Sequence, residues 1–153
     1  AADLVAPLQH ERVLGLGEMM DYPGVVNGSS LVLDKIREAK KAKKIIDGHS
    51  PAIHGSVLDA YCAAGIRTDH ECETTEELKE RVRRGMYVML REGSACNNVI
   101  GLLGGVNERN SRRCMFCTDD RQPKSILSEG HINNNVRLAV GAGLDPIEAL
   151  RSQ

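Results

Sequence analysis

Aromatic side chains are scarce: tryptophan is absent, phenylalanine occurs once and tyrosine three times, 3% of the 153 residues. A chain so poor in flat rings offers no stacking platform for single-stranded nucleic acid. A charge surplus is missing too. Twenty Lys and Arg against 21 Asp and Glu leave a formal net charge of -1 and a pI near 6.6. No global field therefore draws the chain to nucleic acid or to an acidic membrane surface. No apolar run approaches the ~20 residues of a bilayer-spanning helix, and no signal-peptide pattern opens the sequence. Cysteine is present but odd in number, as Cys62, Cys72, Cys96, Cys114 and Cys117. Without secretory features this argues for reduced thiols in a cytoplasmic protein. Cys114 and Cys117 form a CxxC, but no second pair completes a four-thiolate zinc site. Inside an apolar strand, positions i and i+3 also point to opposite faces.

What is there fits one domain of ordinary size, short of the roughly 250 residues of a complete eight-fold barrel. The sequence starts with Ala rather than Met, on what reads as the tail of a helix, and a fragment of a longer barrel is expected. The stretch RCMFCTDDR, residues 113–121, organises the rest. Four mostly apolar residues run into Thr118 and the adjacent carboxylates Asp119 and Asp120. A buried strand that stops at acidic residues places oxygens where α/β folds keep their chemistry. An Asp after a strand is also an ordinary turn or cap residue, and Asp120 and Arg121 form a plausible surface pair across the turn. The pattern recurs, however. Strand-like runs at 13–17, 44–49, 66–69 and 86–94 end at Glu18, His49, His70 with Glu71, and Arg91 with Glu92.

Helical stretches separate these runs. Ser29 or Ser30 is placed to cap a helix after the breaker-rich loop 21–30, and Lys40, Lys41, Lys43 and Lys44 read as its positive C-terminal end. Further helices are expected at 56–64, 76–84, 97–106, 123–129 and 131–142. Thr74 and Thr75 cap the second of these, and Gly65 and Gly85 stop the first two. A last helix opens at Pro146 and runs to Gln153. Strand, loop and helix repeat five times, the signature of a parallel sheet with helices outside. Right-handed crossovers then put every strand C-terminus on one side. The expected fold is α/β, an arc of a β/α barrel.

Carboxylate and imidazole on one such rim suit a divalent ion: zinc, manganese or iron. Glu18 is placed to bridge two ions, and His49 and His70 to supply imidazoles steadied by Asp47, Asp69 or Glu71. Asp119 is placed to ligate and to take a proton. A site of this kind lowers the pKa of bound water towards neutrality. His131 is expected at a helix start facing the Asp119 loop. Each residue taken singly has a plainer role, as a loop histidine or a surface carboxylate; the joint arrangement points to metal.

GLGEMM, IDGHSP, AAGIRTDHE, RRGMYVMLREGSA, NERNSRRCMFCTDDR and EGHIN, in this order, closely resemble the adenine deaminases of the amidohydrolase superfamily. The resemblance runs from about Val13 to Leu150. It implies a (β/α)8 barrel with a binuclear metal centre, manganese or iron, with zinc as a further option. It also implies hydrolysis of adenine to hypoxanthine and ammonia, a step of adenine catabolism. By that pattern Glu18 is the bridging carboxylate after strand four, and His49 and His70 are ligands after strands five and six. Asp119 is then the catalytic ligand after strand eight. Glu71 is offered as proton donor or substrate contact, and Arg91, Glu92 and Asp120 as substrate contacts. The superfamily's first-strand His-x-His pair has no counterpart here, because the pattern starts near strand four. The implied arc covers strands four to eight as one partial barrel domain, lacks two ligands, and leaves open edges through which copies would self-associate. Two other readings stand beside it. One is a metal-dependent hydrolase of a cyclic amide or N-acetyl substrate, and the other a non-catalytic interaction module in which the missing pair leaves the site unbuilt.

Overall fold

Strands and helices alternate through the chain in the order the apolar runs predict. The structure is a computed structural model and describes residues 1–152; the expected helix end at Gln153 lies outside them. The chain divides into two compact units, residues 1–69 and 70–153. Among the described residues no helix is long and apolar enough to cross a membrane.

The first unit contains α1 (Ala2–Gln9), β1 (Gly15–Met19), α2 (Tyr22–Val26), α3 (Ser30–Lys41), β2 (Ile45–Gly48), α4 (Gly55–Ala63) and β3 (Thr68–Asp69). β1 and β2 pair in parallel, with Gly15 opposite Ile45, Leu16 opposite Ile46 and Met19 opposite Gly48. Three steps along β1 from Leu16 to Met19 therefore face two along β2 from Ile46 to Gly48, and the extra residue is a bulge. The chain entering β3 runs beside β2, where the Arg67 N–H donates to the Ile46 carbonyl at 3.1 Å. Gly48 is required at this approach, because a Cβ there would collide with the Thr68 carbonyl and the Ile66 side chain. Val32, Ile36 and Ala39 form the buried stripe of α3, and Leu58 and Tyr61 that of α4, at the i, i+3, i+4 spacing of one helical face.

The second unit contains α5 (Thr75–Arg83), β4 (Tyr87–Arg91), α6 (Val99–Leu102), β5 (Cys114–Cys117), α7 (Pro123–Glu129), α8 (Ile132–Gly141) and α9 (Pro146–Arg151). β4 and β5 are parallel and in continuous register from Val88 opposite Cys114 to Arg91 opposite Cys117. Their inward residues Val88, Leu90, Cys114 and Phe116 join Leu78, Val99, Leu102, Ala139 and Ala149 in one core. Thr74 and Glu77 form a complete capping box on α5, as the sequence predicts.

Three stretches differ from the sequence reading. The loop 21–30 holds the short helix α2, because the Asp21 carboxylate accepts the Gly24 N–H at 2.8 Å and Pro23 sits in the first turn, where proline is favourable. The helix expected over 97–106 shrinks to α6 and a 3₁₀ turn, Leu103–Gly105; Gly101, Gly104 and Gly105 explain why, each costing a helix about 1 kcal/mol. Ser29 takes the N-cap position of α3 but makes no side-chain capping bond.

Candidate functional site

In the first unit the bulge in β1 falls between Leu16 and Met19, so Glu18 stands on it near the strand's C-terminal end. Bulges of this kind re-aim a side chain. His49 directly follows the end of β2. The two expected ligands come together here: His49 Nδ1 lies 3.7 Å from Glu18 Oε2. Two ligands each about 2.1 Å from one ion stand roughly 3–4 Å apart, so this donor pair fits a divalent metal.

The backbone that carries His49 is held by three side chains from outside β2. The Gly48 N–H donates to Thr68 Oγ1 at 3.0 Å, the His49 N–H to the Tyr61 hydroxyl at 2.9 Å, and the Ser50 N–H to Asp69 Oδ1 at 3.0 Å. Thr68 in turn donates to Asp47. Tyr61, on α4, donates its own hydroxyl hydrogen to the Met19 carbonyl at 2.7 Å. Burial lifts the Tyr61 phenol well above its ordinary range, although the His49 N–H acts the other way. It remains a neutral hydroxyl. The sequence reading assigned no role to Tyr61 or Thr68. The available signal was Tyr61 three residues after Leu58 on one buried helical face, since a buried tyrosine needs a partner for its O–H.

In the second unit the residues after the strands form a line of charges. His70, buried, lies with Nε2 3.2 Å from Glu71 Oε1. Both Glu71 oxygens accept from Arg91, at 2.5 Å from Nη1 and 3.3 Å from Nη2. Arg91 Nη1 also donates to Asp119 Oδ2 at 3.1 Å. This places His70, Glu71, Arg91 and Asp119 in one network, with Arg91 in the middle. Burial disfavours the Arg91 charge, but the hydrogen bond and charge of Glu71 outweigh it, and the group ends above its ordinary value. Asp119 has a left-handed backbone, φ 48°, a conformation that Asp tolerates better than most residues.

Asp120 and Arg121 turn towards the loop that follows β4, and no ion pair joins them. The Asp120 carboxylate accepts the Ser94 N–H at 3.1 Å and the Ala95 N–H at 2.9 Å. Arg121 donates to the carbonyls of Glu92 and Gly130 at 3.2 and 2.7 Å, and pairs with Glu129 at 2.6 Å. The surface pair that was the plainer alternative for these two residues does not form, because the neighbouring loop presents amides on one side and carbonyls on the other. Glu92 accepts the Val99 N–H at the start of α6, and burial, the larger influence, raises its carboxyl above the ordinary range. His131 sits at the start of α8 with Nε2 3.1 Å from Thr118 Oγ1, beside Asp119 as its spacing suggests. Cys114, buried in β5, has its thiol pushed up by burial to about 11.

No family model matches the chain. Curated relatives do. An adenine deaminase 2 of Desulfotalea psychrophila is 54% identical over 151 residues, 99% of this chain and 26% of the relative. An adenine deaminase of Nitratidesulfovibrio vulgaris is 53% identical over 98% of the chain, and one of Clostridium acetobutylicum 50% over 99%, each again matched over 26% of its own length. Along practically all of its length, this chain is therefore a homologue of the adenine deaminases, and it spans about a quarter of theirs.

Proposed function

We propose that this chain supplies strands four to eight of a partial β/α barrel domain in a metal-dependent enzyme that hydrolyses adenine to hypoxanthine and ammonia. One observation carries the reading. Glu18 and His49 stand 3.7 Å apart at the ends of neighbouring parallel strands, in a chain half identical to proteins named adenine deaminases. The relatives' names favour adenine over a cyclic amide or N-acetyl substrate.

In this reading Glu18, His49, His70 and Asp119 are metal ligands, with manganese, iron or zinc as the ion. A bound divalent ion would supply Lewis acidity and activate water for attack on the purine carbon that bears the amino group. The chain's own residues do the rest. Asp119, steadied by Arg91, accepts a proton from the attacking water and delivers it to the departing nitrogen. The overall change is adenine plus water to hypoxanthine plus ammonia. Glu71 faces His70 and fixes the imidazole, the role of a carboxylate behind a metal-bound histidine. Arg91, Glu92 and Asp120, offered from the sequence as substrate contacts, take supporting roles. Arg91 orients Glu71 and Asp119, Glu92 caps α6, and Asp120 shapes the loop after β4. Self-association through open sheet edges and a cytoplasmic location belong to the same proposal.

The test replaces the corresponding quarter of the Clostridium acetobutylicum relative with this sequence and assays ammonia release from adenine. Turnover is expected in the chimera, with a loss of at least about a hundredfold in Asp119→Asn. A folded, metal-loaded chimera that leaves adenine untouched would overturn the proposal.

A further inference from the structure

We infer that Tyr61 is a positioning residue for the Glu18–His49 pair: its hydroxyl ties the backbone next to Glu18 to the backbone of His49 and sets the spacing of the two donors. The inference deepens the metal reading above and rests on it. Tyr61 is fully buried on α4. A phenolic hydroxyl has one hydrogen to donate and lone pairs to accept with. Here the hydrogen goes to the Met19 carbonyl at 2.7 Å and a lone pair takes the His49 N–H at 2.9 Å. Met19 is the residue after Glu18.

Met19 pairs with Gly48, and the bulge between Leu16 and Met19 interrupts the ladder where Glu18 stands. A bulge leaves local backbone groups without the usual cross-strand partners, and His49 lies one residue past the end of β2. The Tyr61 hydroxyl acts as an additional rung across that gap. Being neutral, it brings the strands into register without adding a charge that would compete with the ligands for a cation. Phenylalanine would preserve the ring's packing while leaving an N–H and a carbonyl without their partner.

The experiment uses the full 153-residue chain and compares Tyr61→Phe with Leu58→Ala, a packing change on the same buried face. Two readouts are followed: Mn²⁺ affinity by calorimetric titration, and amide hydrogen exchange at His49 in the metal-free chain. Tyr61→Phe is expected to weaken Mn²⁺ binding about 10- to 100-fold, the usual effect of removing a residue that orients a ligand. It is also expected to speed exchange at His49 about tenfold or more. Leu58→Ala should lower the denaturation midpoint while leaving Mn²⁺ affinity within about twofold. A folded Tyr61→Phe variant with unchanged affinity and unchanged exchange would overturn the inference. If the wild-type chain binds no Mn²⁺, the metal reading fails, and the exchange result alone decides whether Tyr61 holds His49. If Tyr61→Phe does not fold, the wild-type chain still answers. A slowly exchanging hydroxyl proton with a cross-peak to the His49 amide is expected, and its absence would overturn the inference.

Discussion

In residues 1–69 the backbone beside the candidate ligands is held largely by neutral hydroxyls, those of Tyr61 and Thr68. In residues 70–152 the side chains themselves are joined, with Arg91 between Glu71 and Asp119. The two arrangements have different energetic consequences. A neutral hydrogen bond contributes about 1 kcal/mol net and fixes direction. Removing one member of a buried charge network leaves its partners uncompensated and costs about 3–5 kcal/mol. The first unit can therefore lose a contact and keep its fold, with the donor geometry bearing the effect. The second unit couples its chemistry to its stability.

The strongest way to break this contrast is Arg91→Ala. It should destabilise the chain by about 3–5 kcal/mol in urea unfolding, since the buried guanidinium that joins Glu71 to Asp119 would be lost. Arg91→Lys should recover part of the loss, because a lysine keeps the charge but not the two-pronged geometry. A change under about 1 kcal/mol would place this network among ordinary surface pairs.

A smaller effect is expected from Thr68→Val in the first unit. It removes one of the two acceptors of the Gly48 N–H and the hydroxyl donor to Asp47, and should lower stability by about 1–2 kcal/mol in thermal unfolding. Thr74→Ala sharpens the comparison from the other side, taking a neutral contact out of the charged unit. Loss of the capping box should cost about 1 kcal/mol, well below Arg91→Ala.

The smallest effect concerns pH. The Glu92 carboxyl is raised by burial in the folded chain, so the folded state holds its proton at pH values where the unfolded state has already lost it. Stability from this group falls as pH rises from the ordinary carboxylate range through the raised value, and is level on either side. Glu92→Gln, whose amide oxygen still accepts the Val99 N–H, should gain stability relative to wild type at pH 7 and lose that advantage at pH 4. Urea midpoints at the two pH values check it.

The residue types at the strand ends were legible because burial and period fix where apolar runs stop. Glu18, His49 and His70 stood out on that ground as strand-end candidates, whereas the choice of Asp119 over Asp120 rested on the resemblance to the adenine deaminases. The bulge in β1 was not legible. It depends on how Leu16 and Met19 pair with β2, which is a tertiary choice that leaves no mark in GLGEM. Tyr61 escaped for a related reason: its partners are backbone groups 12 and 42 residues away. Asp120 and Arg121 looked like each other's partners because neighbours in sequence are the first candidates. The fold offered each a better one, the amides of Ser94 and Ala95 and the carboxylate of Glu129. The α2 helix was obscured by Pro23 and Gly24, residues read as breakers although proline suits a first turn.

The central claim, that the histidines and carboxylates at the strand ends hold a divalent ion, is tested most directly by metal analysis. The purified chain and a His49→Ala, His70→Ala double variant would be compared by mass spectrometry. The account predicts stoichiometric manganese, iron or zinc in the wild type and its loss in a folded double variant. Metal retained by the variant, or absent from the wild type after growth and purification with Mn²⁺, would contradict it.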